Sequence, residues 1–157
     1  MWTPFNFFIG SWQGTGKGQS GESQVERTYQ FVLNGKFLQV ISKSAYPPQD
    51  KNPKGEVHEE WGFISLDKGR KAFVFRQFHI EGFVNQYVMD AAETESQSLS
   101  EGHQLTFVTE AIENIPAGWR GKETYQVLGP DEFREIFELA APGKDFEVYS
   151  ENHLKRT

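Results

Sequence analysis

Chemistry in this chain would have to come from a few polar, titratable side chains that interrupt apolar alternation. His58 and Glu60 stand two residues apart in His58-Glu59-Glu60-Trp61-Gly62-Phe63, so both fall on one face of an extended chain. An imidazole beside a carboxylate can hold a ligand's carboxylate or amide. Two facings are open: the pair lines a cavity, or Trp61 and Phe63 face the core and the pair faces water. Arg27 lies between Val25 and Tyr29 on an apolar face. A buried guanidinium needs a partner or a ligand anion; the alternative is a bulge, or an arginine that snorkels to the rim. Gln77 and His79 share parity with Phe73 and Phe75, and Arg76 shares parity with Val74 and Phe78. One of these faces carries polar groups inward, and parity does not choose between them. Gln86 and Tyr125 are further candidate cavity donors. Tyr149 and His153 oppose Val148, Leu154 and Arg156 in parity, so strict alternation turns Tyr149 outward unless a bulge intervenes. His153 reads as an exposed histidine. Trp119 follows Ile115-Pro116-Ala117-Gly118, either as a lid over a mouth or as an aromatic sealing a loop.

Other chemistries find no support. There is no Cys, hence no disulfide, thiolate nucleophile or zinc–cysteine site. The four histidines, at 58, 79, 103 and 153, have no short metal-ligand spacing, so no metal site is expected. No Gly-x-Ser-x-Gly and no phosphate-binding glycine pattern occurs. Gly14, Gly16 and Gly18 alternate inside a strand pattern, which suits close packing. No catalytic constellation is visible, and the expectation is a binding protein rather than an enzyme. The net charge of -6 excludes a basic nucleic-acid footprint. Phe7-Phe8-Ile9 is too short an apolar run for a leader or a membrane span. A soluble cytoplasmic protein is expected, with no membrane or nucleic-acid partner.

The elements that must position these residues read as strands. Fourteen Phe, five Tyr and four Trp stand against two Met, and aromatics favour a half-buried pleat. Alternation and turn signals place strands at 12–18, 22–33, 36–46, 56–66, 71–79, 82–90, 104–112, 122–128, 133–140 and 146–154, with 91–100 a weakly patterned edge. Asn34-Gly35 is the strongest hairpin signal. Thr3-Pro4 opens a short helical turn. A single all-β domain over 1–157 follows: a closed up-and-down antiparallel barrel of about ten strands, since an open sheet would expose its edges. Such a barrel can enclose a ligand cavity. The oligomeric state is open, a homodimer included.

Gly10-Ser11-Trp12 at the first strand, with Arg156 ending the last, resembles the Gly-x-Trp and terminal arginine of the calycin barrels, the lipocalins and fatty-acid-binding proteins. The resemblance implies that Arg156 packs across Trp12 and closes the barrel floor. No room follows the first strand for the two lid helices of the fatty-acid-binding branch. Phe8 to Gly18 and His58 to Ile64 resemble the nitrobindins, ten-stranded haem-binding calycins, whose matching histidine borders the haem pocket. That family holds iron through a last-strand histidine. Counting six from Gly143, or seven back from Arg156, places Tyr149 there, and His153 stands four residues too late. A phenolate can hold ferric haem, so Tyr149 is the axial candidate if haem binds, and peroxynitrite isomerisation is implied only in that case. No cofactor is fixed by the residues themselves. The preferred expectation is a small, largely apolar ligand in an internal pocket, oriented by His58, Glu60, Arg27, Tyr149, Arg76, Gln77, His79 and Tyr125. The alternatives are the haem protein and a structural barrel with a filled interior.

Overall fold

The computed structural model describes residues 2–90 and 98–157. After a 3-10 helix, Thr3–Phe8, come ten strands: β1 Gly10–Gly18, β2 Ser23–Val32, β3 Phe37–Tyr46, β4 Glu56–Asp67, β5 Ala72–His79, β6 Val84–Met89, β7 Gln104–Glu113, β8 Arg120–Gly129, β9 Glu132–Ala140 and β10 Glu147–Arg156. Each strand antiparallel-pairs with its neighbours in sequence, and β1 pairs with β10, so the sheet closes. Strand bounds differ from the expected ones by two residues or fewer. The edge-strand expectation for 91–100 falls mostly on 91–97, outside the described residues; 98–100 form no strand. No helix among the described residues is long and apolar enough to cross a membrane.

One end of the barrel is filled and the other is open inside. The 3-10 helix tucks Phe5 and Phe8 against Trp12, Tyr29, Phe73, Phe107, Tyr125 and Phe133, all buried. Edge-to-face contacts fix the plug: Trp12 to Phe133 at 4.7 Å, Phe8 to Phe133 at 5.1 Å and Phe5 to Phe73 at 4.8 Å. Each such pair adds roughly 0.5–1.5 kcal/mol beyond burial of its area. Trp12 lies opposite Arg156 in register, and the guanidinium stacks 4.2 Å from the indole ring. It donates to the carbonyls of Ile9 (2.9 Å) and Phe7 (2.8 Å) and pairs with Asp131 (2.8 Å). Gly10 turns the chain from helix into β1 at φ 121°, where a side chain would be strained, and a Cβ there would lie 3.4 Å from Arg156 Nη1.

Candidate functional site

The open half encloses a cavity of about 590 Å³. Register builds its polar wall. Antiparallel pairing sets Arg27 on β2 opposite Ser42 on β3, Ser42 opposite Glu60 on β4, and Glu60 opposite His79 on β5. A single row across four strands thus carries a guanidinium, a carboxylate and an imidazole. The period of two adds His58 beside Glu60 and Gln77 beside His79 on the same inner face.

These side chains converge on Glu60. His79 Nδ1 lies 2.9 Å from Glu60 Oε2, and His58 Nε2 lies 3.3 Å from the same oxygen. Gln77 donates to Glu60 Oε1 at 3.0 Å. The other His58 nitrogen, Nδ1, meets Glu81 at 2.7 Å, and the far nitrogen of His79, Nε2, meets the Asn85 amide at 3.3 Å. Phe83 stacks on His79 at 4.0 Å and 14°. Burial alone would raise the Glu60 carboxyl, but the two histidine contacts outweigh it and hold the group well below the usual carboxylate range. The hydrogen bond to Glu60, against the pull of burial and helped by Glu81, pushes the His58 imidazole up to about 9.

The second polar group faces this cluster. Arg27 is buried and bidentate to Glu135 on β9, with Nε to Oε1 and Nη2 to Oε2 both at 3.0 Å. Asn152 on β10 donates to Glu135 at 2.9 Å. Gly16 makes room for that contact, since a Cβ there would lie 2.2 Å from Asn152 Oδ1. Burial opposes the Arg27 charge, yet Glu135 more than offsets this and raises its pKa. Glu123 on β8 is the exception. It is 8% exposed and makes no hydrogen bond or ion pair among the described residues. Burial, reinforced by the charges of Glu135 and Glu60, pushes its carboxyl well up.

Apolar side chains line another part of the wall: Phe83, Ile112, Ile115, Trp119, Phe137 and Leu139. Tyr149 also lines the cavity. A register shift between Val148 and Ser150 breaks the alternation that would have turned it outward. Its hydroxyl lies 3.2 Å from that of Ser20.

The structure thus brings His58, Glu60, Gln77 and His79 together, sets Arg27 and Tyr149 on other parts of the same cavity, and puts Trp119 at its mouth. Several expectations are corrected. Trp61 is exposed on the outer wall with Phe78 paired opposite it, so the core-facing reading of β4 is wrong. Arg76 is exposed outside because Phe73 and Phe75 anchor the other parity of β5 in the core, and Gln86, its partner in register, bonds to exposed Glu110 instead. Tyr125 belongs to the aromatic plug, packed against Phe8 and Phe107, and does not line the cavity. His153, by contrast, is exposed as its sequence reading had it, and is bonded to Glu132. Separation in sequence hid one juxtaposition: His58 and His79 are 21 residues apart but 3.3 Å apart in space.

Other polar lining residues, Glu135, Glu123, Asn85 and Asn152 among them, carry weaker signals in the sequence. Glu135 shares parity with Phe133 and Phe137, Glu123 with Tyr125 and Val127, and Asn85 with Tyr87 and Met89. A carboxylate or amide on an apolar face was the available signal. Asn152 shares parity with Leu154 but carried no such run.

Comparison places this geometry among known barrels. A crystal structure of Rv2717c from M. tuberculosis superposes with a TM-score of 0.75 at 18% identity, covering 99% of this chain and 96% of that one. A designed barrel, EF1p2_mFAP2b bound to DFHBI, superposes at 0.50 and 10% identity, covering 100% and 99%. No curated protein sequence matches the chain. The family model for the THAP4-like, heme-binding beta-barrel domain matches residues 1–156. With the closed ten-strand barrel and the Trp12–Arg156 floor already described, this match makes the chain a nitrobindin-like calycin barrel, a member of the THAP4-like, heme-binding beta-barrel domain family.

Proposed function

We propose that the protein binds one small organic ligand inside the barrel, apolar along its body and polar at one end. The observation that carries this reading is the cavity itself, about 590 Å³ and sealed at one end by the aromatic plug. Ligand pockets typically span roughly 300–1,000 Å³ and pair an apolar lining with a few placed polar groups. Here the body packs on Phe83, Ile112, Ile115, Trp119, Phe137 and Leu139, and the head meets the His58–Glu60–His79 cluster. Glu56, Glu60, Glu81 and Glu135 line the space, while the Arg27 guanidinium is already spent on Glu135. The head group is therefore a hydrogen-bond donor or a cation rather than a free carboxylate. This refines the expectation of a largely apolar ligand.

Haem, the ligand named in the family description, fits these residues poorly. The histidine of β10, His153, is exposed and paired with Glu132. The Tyr149 hydroxyl is bonded to Ser20, and among the described residues no arginine bonds to it to favour a phenolate. A porphyrin would also bring two carboxylates into walls rich in glutamate.

Native mass spectrometry of the purified protein, with Nile red titration of the emptied barrel, tests the proposal. We expect a co-purified small molecule or one dye per chain, and Ser44→Phe, which fills the cavity wall, should abolish dye uptake while the thermal transition is kept. A barrel that carries nothing and takes up no dye would sink the reading. Hemin added in equal amount should leave the free-hemin spectrum unchanged; a Soret shift lost in Tyr149→Phe would put haem in its place.

A further inference from the structure

We propose that His58, His79 and Glu60 form a site for one divalent transition-metal ion of the zinc class, with its fourth position open to the cavity. The site is argued for the barrel without its organic ligand, whose donor or cationic head would compete with the ion for the same three side chains. Three donor atoms define it: His58 Nε2, His79 Nδ1 and Glu60 Oε2. Their mutual separations are 3.3 Å between the two nitrogens, 3.3 Å from His58 to Glu60 and 2.9 Å from His79 to Glu60. Metal–ligand bonds of about 2.0–2.1 Å around a tetrahedral ion give donor–donor edges of roughly 3.3 Å. The triangle is thus already close to one face of that tetrahedron.

In the metal-free cluster both ring nitrogens turn to the same carboxylate oxygen, which can accept from each. A cation at the centre of the face takes the place of those protons and meets all three donor atoms at once.

The groups behind the donors are those a metal site needs. Histidine ligands commonly give their other ring N–H to a carboxylate or carbonyl, which fixes tautomer and ring orientation. His58 Nδ1 has the Glu81 carboxylate behind it at 2.7 Å; His79 Nε2 instead accepts from the Asn85 amide nitrogen at 3.3 Å, so an ion bound at Nδ1 displaces the ring proton held there. Gln77 holds Glu60 Oε1 at 3.0 Å, leaving Oε2 for the ion. Phe83 stacked at 4.0 Å keeps the His79 ring flat in place. Donor atoms of His58, His79 and Glu81 also lie within 4.8 Å of one another, with Glu81 held on the Nδ1 side of the His58 ring. Imidazole and carboxylate donors suit zinc, cobalt, iron and nickel better than magnesium or calcium. Two histidines, one glutamate and an open position form a ligand set that zinc uses when it binds exchangeable partners. All three donors line the cavity, so the open position faces the space a ligand would enter. The 21-residue separation of the histidines kept this site out of a reading based on sequence spacing.

Cobalt titration of the chelator-treated full chain tests it. We expect one Co²⁺ per chain, the intense visible bands of four-coordinate cobalt, and their loss when an equal amount of Zn²⁺ is added. His79→Gln should weaken binding by at least about 100-fold and Glu81→Gln, behind His58, by roughly tenfold. His153→Gln, on the outer wall, should bind as the parent does. Absence of the bands, or bands that persist in both His79→Gln and Glu60→Gln, would overturn the site. Should those variants not fold, X-ray absorption at the zinc edge of the unaltered protein decides the matter. Two imidazoles on the metal are expected, and fewer than two refutes the assignment.

Discussion

Glu123 is surrounded by groups that all bear on its proton. Glu135 on β9, Glu60 on β4 and Arg27 on β2 act on it through their charges, and the buried phenols of Tyr29, Tyr87 and Tyr125 feel its charge in turn. As pH rises past the ordinary carboxylate range near ~4.3, the unfolded chain releases this proton while the folded chain keeps it. Glu123 therefore contributes less and less to folding up to its own raised pKa, by about 1.4 kcal/mol per pH unit within that window. Glu123→Gln removes the dependence. Its stability in urea melts should exceed the parent's by more at pH 8 than at pH 5; an equal difference at both values would mean that the carboxyl is ionised in the fold. Residues of this kind were only half legible in the sequence. His58 and Glu60 were visible as a period-two pair, but their facing was not, because alternation fixes which residues share a face and not which face is inside. His79 needed the register across β4 and β5, a long-range property that no local window contains.

At the scale of elements, ten strands were legible because turns and alternation are local. Asn34 takes φ 57° and Gly35 φ 71°, as the hairpin signal required. The irregular elements were harder. The shift on β10 that turns Tyr149 inward has no signature in the residues around it. The 3-10 helix was foreseen as a turn, but its packing role lies in what it covers. Phe8 is 2% exposed and touches Tyr29, Tyr125 and Phe133. Phe8→Ala should cost about 3–5 kcal/mol, measured by urea denaturation with unchanged cobalt binding in the folded fraction. A loss below about 1 kcal/mol would show that the helix is an appendage and not part of the core.

For the whole molecule, the two halves of the barrel differ in what holds them. The closed half is a dense aromatic core, and the open half is a ring of hydrogen bonds and ion pairs around empty space. Local opening follows burial and contact density. Amide exchange should therefore be slowest in Phe73, Phe107 and Phe133 and faster at the open-end turns near Glu81 and Trp119; uniform protection would argue for a filled interior. Closure of the sheet followed from a general physical need to hide edges, and so was readable before any coordinates. The division into a plug and a cavity was not, because apolar and polar inward residues alternate along the same strands.

The Trp12–Arg156 floor has a practical consequence. Trp2 Nε1 bonds to the Gly35 carbonyl, and Thr157 bonds to Ser11, so both ends of this segment are tied at the plugged pole. Any tether, fluorescent fusion or immobilising tag joined to either end leaves from the side opposite the mouth. The barrel can therefore be mounted on a surface or spliced beside another module with its opening unobstructed, a ready orientation for a reagentless sensor.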